Sequence, residues 1–342
     1  MVFAEQPSAV LQEALGLLAQ GKSGEAEAVV KKAAMTAAMT AKAAHGSGSQ
    51  PLASAYGDIA KLHLRMGEFQ KAAVEFQHAS KGPLPPDAPA RRERLGFMYG
   101  FAEALVALTK YDEAEKVLRQ CVTFAKTLHG PTSAVAAVAT VPLADALLKA
   151  GKPADAMQVA QDAYDALWRL GDALITDIIP VRAEALKAAG KPDNPFTDLA
   201  DLPDGMVNLA VAGVIARAPG GDPVHVRAVL ADLLTFADKK YGDGHAVTCD
   251  ALAAVAHHET RQGAKADPTV RKAAVRRAVW SYIVRRMKGD LLANLEIGFE
   301  ADGALHLVPH LRREPNAGET AQLEALLTQA VDDLYSRSAT KA

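Results

Sequence analysis

The side chains best suited to metal chemistry lie close together in the segment HAVTCDALAAVAHHE, residues 245–259. Imidazole nitrogens and thiolate sulfur are preferred ligands of Zn²⁺, so His245 and Cys249, one helical turn apart, with His257 and His258 further on, suggest a zinc site. In a helix, however, Cys249 and His257 lie about 80° apart around the axis and about 12 Å apart along it, which is too far for one shared ion. We therefore interpret the group as a histidine at a repeat junction followed by surface histidines, without a metal.

The sequence carries no motif for other chemistry. No glycine-rich phosphate loop follows a strand, no nucleophile elbow is present, and the carboxylates are dispersed over helix surfaces rather than paired. We therefore predict a non-catalytic protein without cofactors. A metal-dependent enzyme built on His245 and Cys249 is the least favoured alternative.

The stretch from Arg261 to Lys288 is strongly basic, with nine Lys and Arg against one Asp, although the net charge of the chain is only −2. It is a candidate contact surface for an acidic partner or an anionic membrane, with Trp280 and Tyr282 at the level of the lipid headgroups. At about 100° per residue the charges scatter around most of the helix, which disfavours nucleic acid and leaves an ordinary charged helix as the alternative. The basic residues are Arg271, Lys272, Arg276, Arg277, Arg285, Arg286 and Lys288.

Helices must position these residues, and the clearest helical unit is Leu52–Ser80. Ala60 and Ala72 fall where two antiparallel helices approach closely, Gly67 falls in the turn between them, and Phe76 fills their interface. One such helix pair cannot bury its apolar faces alone. The unit therefore predicts an array of stacked copies.

Copies of the unit recur along the chain, with turns at positions 21, 67, 109 and 151, spaced 46, 42 and 42. The four extra residues match the tandem duplication AAMTAAMT at 33–40, which adds about one helical turn and keeps the register. A fifth unit has its turn at Gly190. The segments 117–130 and 229–242 share Val, Leu, Thr, Phe, Ala and Gly in register, so the second half repeats the first, with turns expected at Gly221 and Gly263. The pattern predicts an all-α fold of about seven helix pairs.

A 42-residue period with a glycine after a long second helix, as in His129-Gly130 and Tyr241-Gly242, resembles the kinesin-light-chain type of tetratricopeptide (TPR) repeat. The resemblance covers residues 8–288 and implies a right-handed superhelix that binds other proteins. Together with the alanine-rich composition, the repeats also resemble those of bacterial kinesin-light-chain proteins associated with bacterial tubulin. That resemblance implies an adaptor that binds and stabilises tubulin-like filaments and links them to membrane.

In repeats of this type the ligand-facing positions lie five and nine residues into each unit, on the first helix. None of these positions holds the Asn that clamps a C-terminal carboxylate in some TPR proteins, so that partner class is disfavoured. We interpret Lys61, Arg65 and Tyr99 as a patch for an extended peptide with acidic and aromatic residues, with a solvated groove wall as the alternative. The positions five and nine residues into the units are Gly57, Lys61, Tyr99, Glu103, Val141 and Asp145, and Arg65 lies one turn after Lys61.

Two prolines and four aspartates interrupt the array in DNPFTDLADLPDG, residues 193–205, and predict a break that proteases should cut first. The break separates a regular array, 1–192, from degenerate units that include the basic helix, 206–290. Pro142 and Pro180 interrupt first helices and should start or kink them.

The tail, 291–342, departs from the repeat pattern. Leu295, Ile297 and Phe299 alternate with polar residues and precede Asp302-Gly303, which predicts a β-hairpin. An amphipathic helix from about Gly318 should cover the open end of the array.

The composition, 49% hydrophobic but only 5% aromatic, suits helices packed through alanine and leucine. The N-terminus lacks the pattern of a signal peptide, and no apolar run approaches the roughly 20 residues of a membrane span, so we expect a cytoplasmic protein. Cys121 replaces an alanine of the other copies and should be a small, buried, reduced thiol.

These features favour a non-catalytic adaptor that presents stacked helices to protein partners. The alternative is a peptide-sensing TPR receptor with a regulatory output. Such receptors usually carry an effector domain, which we do not find in the sequence.

Overall fold

The computed structural model describes residues 8–44, 50–81, 85, 87–242, 245–262, 268–287, 291–299 and 305–339. It divides into two compact units, 1–185 and 186–342, which are described separately. The helices are α1 (Ala9–Ala19), α2 (Ser23–Ala44), α3 (Gln50–Arg65), α4 (Phe69–Ser80), α5 (Ala88–Ala107), α6 (Tyr111–His129), α7 (Ala134–Val138), α8 (Val141–Lys149), α9 (Pro153–Leu170), α10 (Ile175–Ala188), α11 (Asp204–Arg217), α12 (Pro223–Tyr241), α13 (Ala246–Gln262), α14 (Pro268–Arg286) and α15 (Ala317–Ala339). Short 3-10 helices span Thr197–Asp201 and Ala218–Gly220, and the strands are β1 (Leu292–Phe299) and β2 (Leu305–Leu311).

The first unit consists of successive antiparallel helix pairs, α1–α2, α3–α4, α5–α6 and α8–α9, as the sequence predicts. The turn of each pair holds one residue in the left-handed conformation, with φ of +78° at Gly21, +76° at Gly67, +58° at Thr109 and +70° at Gly151. Glycine adopts this conformation without strain, because it lacks a Cβ. The predicted turn positions are therefore confirmed, and Thr109 is the one described non-glycine residue with positive φ.

The same backbone hydrogen bond closes each of these turns. The N–H of the residue after the turn position donates to the carbonyl five residues earlier, as in a Schellman motif, and so satisfies an otherwise orphaned carbonyl at the helix end. The pairs are Lys22 to Leu17, Glu68 to His63, Lys110 to Leu105 and Lys152 to Leu147, with lengths of 2.9–3.0 Å.

Alanine at a fixed position of each first helix allows close helix approach. These alanines are almost completely buried: Ala14, Ala60, Ala102, Ala144 and Ala183. α3 packs against both α1 and α5, so the first helices of neighbouring pairs lie side by side. We call the outer surface of α3, α5 and α8 the first-helix face.

Two glycines let aromatic rings enter the interfaces of α5. A Cβ on Gly57 would lie 2.0 Å from Cε1 of Phe97, and a Cβ on Gly100 would lie 2.3 Å from Cζ of Phe76. Gly57 is therefore closed off by Phe97 and does not face a ligand, contrary to the expectation from its place in the repeat.

The two prolines of the first helices behave differently. Pro142 lies in the first turn of α8, which a two-residue interruption separates from α7, so it starts a helix as predicted. Pro180 lies inside α10, which continues on both sides of it.

In the second unit, no α-helix forms between the end of α10 at Ala188 and the start of α11 at Asp204. The intervening segment is nevertheless anchored, because Phe196 and Leu199 are completely buried. The ammonium group of Lys187 donates to three carbonyl oxygens of this segment, those of Lys191, Pro192 and Asp193. That of Lys240 likewise donates to the carbonyls of Leu199, Ala200 and Leu202.

α12 repeats the features of α6, as the matching sequences predict. Both helices end at a glycine with positive φ, Gly130 (+92°) and Gly242 (+76°). Ala125 and Ala237 are completely buried at equivalent places. The next expected turn, at Gly263, lies outside the described residues.

The chain ends in the predicted hairpin and helix. β1 and β2 pair antiparallel, with Leu295 opposite Pro309, whereas the expected turn at Asp302-Gly303 lies outside the described residues. Leu295 of β1 and Leu323 of α15 share one core with Ile283 of α14. α15 packs against α13 and α14, so it covers the last helix pair.

Candidate protein-binding face

The charged residues predicted to face a ligand do lie on the first-helix face. Lys61 and Arg65 are on α3, Glu103 is on α5, and Asp145 is on α8. Lys61, Glu103 and Asp145 occupy the same repeat position, 42 residues apart, so they form one row across three consecutive first helices.

Glu103 is the electrostatically unusual member of this row. The residue is exposed, yet the surrounding protein desolvates its carboxyl group enough to raise the pKa of that group. Arg65 on one side and Lys149 on the other oppose this shift. Within the described part of the chain, neither Glu103 nor Arg65 makes a hydrogen bond or an ion pair.

The other charges of the face have partners. Lys149 Nζ lies 3.0 Å from a carboxylate oxygen of Asp145. Lys61 Nζ lies 5.3 Å from the centroid of the buried Phe97 ring, within the range of a cation–π contact. The face is therefore positive on α3, negative at Glu103, and close to neutral on α8.

Tyr99 plays a different part from the one expected. Its hydroxyl donates a hydrogen bond of 3.1 Å to the carbonyl of Ala139, between α7 and α8, and burial raises the pKa of its phenol. Tyr99 packs against two clusters of the core, one that contains Leu95 and one that contains Leu143. Tyr99 therefore joins α5 to the start of α8 behind the charged row.

Two residues that influence the charges of the face were missed by sequence reasoning: Lys149 on its surface and Phe97, which is buried beneath Lys61. Lys149 carried a usable signal, because it follows Arg65 by 84 residues, two repeat periods. Phe97 carried none, because its contact with Lys61 depends on the space left by Gly57 on the neighbouring helix.

Two basic side chains of α14 bind other elements of the second unit. Arg276 donates to Asn294 of β1, and Arg277 forms an ion pair with Asp238 of α12. Arg286 stacks on Tyr282, with its guanidinium carbon 3.5 Å from the ring centroid. The side chains of Arg271, Lys272 and Arg285, and the whole of Lys288, lie outside the described residues.

The histidine and cysteine side chains of the segment 245–259 make separate contacts. The ring of His245 stacks on Tyr241 with centroids 4.3 Å apart, and its Nδ1 accepts a hydrogen bond from the N–H of Val247 at the start of α13. Cys249 is half-buried one turn further on. Among the described residues no three His, Cys, Asp or Glu side chains converge as metal ligands.

None of the helices in the described part of the chain is long and apolar enough to cross a membrane.

No protein-family model matches the chain, and no curated protein matches it. Among solved structures, it is similar to the crystal structure of BtubC (BKLC) from P. vanneervenii, with 16% sequence identity and a TM-score of 0.44. The match covers 71% of this chain and 93% of that chain. The fold assignment rests on the helix pairs and turns described above.

Proposed function

We propose that the protein is a non-catalytic adaptor that binds an extended segment of a partner protein across α3, α5 and α8. The observation that carries this proposal is Glu103, a carboxylate kept on the first-helix face where partial burial disfavours its charge and no ion pair compensates it. Ionisable groups with perturbed pKa values are found more often at functional sites than elsewhere, because a site needs them despite their cost.

The charges of the face define the partner segment. Lys61 and Arg65 on α3 suit an acidic side chain, whereas Glu103 on α5 suits a basic one. Adjacent first helices in a stacked array lie about 8–10 Å apart, so these two partner residues should be about three positions apart in an extended chain. The order of the acidic and the basic residue along the partner segment determines the direction in which it runs from α3 to α5.

The proposal has a more specific version, called here its finer form, which names the class of partner. The resemblance of the 42-residue repeats to bacterial kinesin-light-chain proteins favours a tubulin-like filament as the partner. In this form the adaptor binds and stabilises the filament through the first-helix face.

The experiment compares two charge-swap variants that leave the net charge unchanged. The test variant combines Arg65→Glu with Glu103→Arg on the first-helix face. The matched control combines Glu113→Arg with Lys116→Glu, both exposed on α6. Each protein is sedimented with polymerised bacterial tubulin and, separately, used as bait in a lysate of the source cell.

We expect the wild type and the control to retain the same partner and the test variant to lose it by about tenfold or more, because like charges across an interface cost several kcal/mol. If all three proteins bind equally, the first-helix face is not the binding surface. If a partner is found in the lysate but no binding to tubulin filaments is seen, the finer form is wrong.

A further inference from the structure

A cavity of about 190 Å³ lies in the second unit, between α11, the start of α12 and the last turns of α13. Its apolar lining residues include Ile215, Pro219 and Pro223. Its polar lining residues are His257, His258, Arg261 and Gln262, all on α13. This site is independent of the first-helix face, which belongs to the other unit.

Of the polar lining residues, His258 has an unsatisfied polar atom. Only 7% of the residue is exposed, and its Nε2 has no hydrogen-bond partner. The imidazole does hydrogen-bond the carbonyl of Pro223, which leaves Nε2 as the orphaned nitrogen. Buried polar atoms of side chains almost always have a partner, so an orphan that lines a cavity indicates a missing ligand group.

The charges around the cavity favour an anion. No carboxylate is found among the described residues that line it, and Arg261 is exposed and acts electrostatically on His258. Glu259, which acts electrostatically on His258, is buried and already forms a bidentate pair with Arg227, at 2.7 and 2.9 Å. Asp222, between the lining residues Gly221 and Pro223, lies within 3.6 Å of His225. A cavity lined by a guanidinium, an imidazole and several apolar side chains matches a small molecule that has an anionic head and a short apolar body.

We propose that this cavity binds a small aliphatic carboxylate, held by Arg261 and by Nε2 of His258, with its hydrocarbon part against Ile215 and Pro219. Sites for drug-sized ligands usually have volumes of about 300–1,000 Å³, so a cavity of about 190 Å³ suits a ligand of only a few carbon atoms. The planar fork of arginine matches the two oxygens of a carboxylate better than a lysine would.

Binding should be coupled to protonation of His258. Burial lowers the pKa of this imidazole, as do Arg227 and Arg261, whereas Glu259 and the hydrogen bond to Pro223 oppose the shift. The neutral ring therefore predominates, with a lone pair on Nε2. A bound carboxylate adds a negative charge beside it and stabilises the imidazolium, so binding takes up a proton.

The test is a titration of the full chain, labelled with ¹⁵N in its histidine rings, by NMR. Acetate, butyrate and inorganic phosphate are added at constant ionic strength at about pH 7.5 and at about pH 6, on either side of the usual histidine pKa. The variant Arg261→Gln removes the exposed guanidinium, and Lys239→Gln removes one exposed positive charge elsewhere in the same unit.

We expect butyrate to give a saturable shift of the His258 ring nitrogens, with higher affinity at the lower pH. Affinity should fall about tenfold or more in Arg261→Gln, since a charge-assisted hydrogen bond is lost, and stay unchanged in Lys239→Gln. The proposal is overturned if no carboxylate shifts these signals at millimolar concentration, if Arg261→Gln binds like the wild type, or if only phosphate binds.

Discussion

The ring of Phe97 on α5 fills the space that a side chain on Gly57 of α3 would occupy. A Cβ at Gly57 would lie 2.0 Å from Cε1 of the ring, well inside any allowed contact distance. The same ring lies beneath Lys61, 5.3 Å from its Nζ. One missing methyl group therefore sets the separation of the two first helices, and with it the placement of the positive charges of α3 relative to Glu103.

We expect Gly57→Ala to destabilise the protein by about 1–3 kcal/mol, because the added methyl overpacks the interface between α3 and α5. The matched control is Gly96→Ala on α5, where no atom lies within 4 Å of the new Cβ. The control should be stabilising by about 0.4–1 kcal/mol, since alanine lowers the entropy of the unfolded chain. Urea unfolding followed by circular dichroism measures both. Equal midpoints for the two variants would contradict the close approach.

Thr109 is the strained member of the turn series. With φ of +58°, its β-branched side chain occupies a conformation that costs about 1–2 kcal/mol for residues other than glycine. Thr109→Gly should therefore stabilise the first unit by about 0.5–1 kcal/mol, after allowance for the greater freedom of glycine in the unfolded chain. The reverse change, Gly151→Thr, should destabilise by about 1–2 kcal/mol. Thermal unfolding measures the stability of both variants. A lower melting temperature for Thr109→Gly would show that the threonine side chain makes a contact that outweighs its backbone strain.

The sequence predicted the turns and the small residues between helices because both depend on local geometry that recurs every 42 residues. A left-handed turn requires glycine or tolerates few alternatives, and a close helix crossing requires alanine, so Gly67 and Ala60 can be recognised without a structure. For the same reason the matched segments 117–130 and 229–242 identified α6 and α12 as equivalent helices.

The sequence could not predict contacts that depend on how neighbouring helices meet. Tyr99 was expected on the ligand-facing surface, but its hydroxyl donates a hydrogen bond to the carbonyl of Ala139, in the interruption that precedes Pro142. Glu103 was predicted to face a ligand, whereas its raised pKa comes from burial in the folded protein, which the repeat pattern does not reveal. The segment 193–203 was recognised as irregular, but its anchoring by the nearby Lys187 and the distant Lys240 was not.

This anchoring changes the expectation for proteolysis. The ammonium of Lys187 is largely buried, pairs with Asp232 and donates to the carbonyls of Lys191, Pro192 and Asp193. The wild-type segment should therefore resist cutting, despite its prolines and aspartates. Lys187→Met keeps the length of the side chain but leaves the buried Oδ2 of Asp232 without its partner, at a cost of about 1–3 kcal/mol. Water replaces the bonds to the three exposed carbonyls, so the segment is no longer held to α10 there.

Limited proteolysis with a protease that does not recognise lysine, followed by mass spectrometry, measures this effect. Cutting within 193–203 should be faster in Lys187→Met and unchanged in Lys191→Met, where the lysine side chain is exposed. Rapid cutting of the wild-type segment would instead support the expectation from sequence alone.

Glu103 allows a test that separates a structural role from a functional one. Burial raises the pKa of its carboxyl group in the folded protein above the ordinary value for glutamate, so the folded state binds the proton more readily than the unfolded state. The ionised carboxylate therefore lowers the free energy of unfolding at neutral pH, and this penalty disappears as the pH falls through the folded pKa to below about 4.5. Glu103→Gln should consequently stabilise the protein at pH 7 by less than about 1 kcal/mol, because the exposed group is screened by solvent. The gain should vanish near pH 4.

The same variant should weaken binding of the partner, because it removes the negative charge that the partner's basic residue requires. Glu113→Gln, an exposed carboxylate on α6, should change neither property. Stability is measured by urea unfolding at several pH values, and binding by the filament and lysate assays described above. A less stable Glu103→Gln would mean that Arg65 and Lys149 outweigh desolvation and that the carboxylate is structural. A more stable variant with undiminished binding would remove the observation that supports the first-helix face as the binding surface.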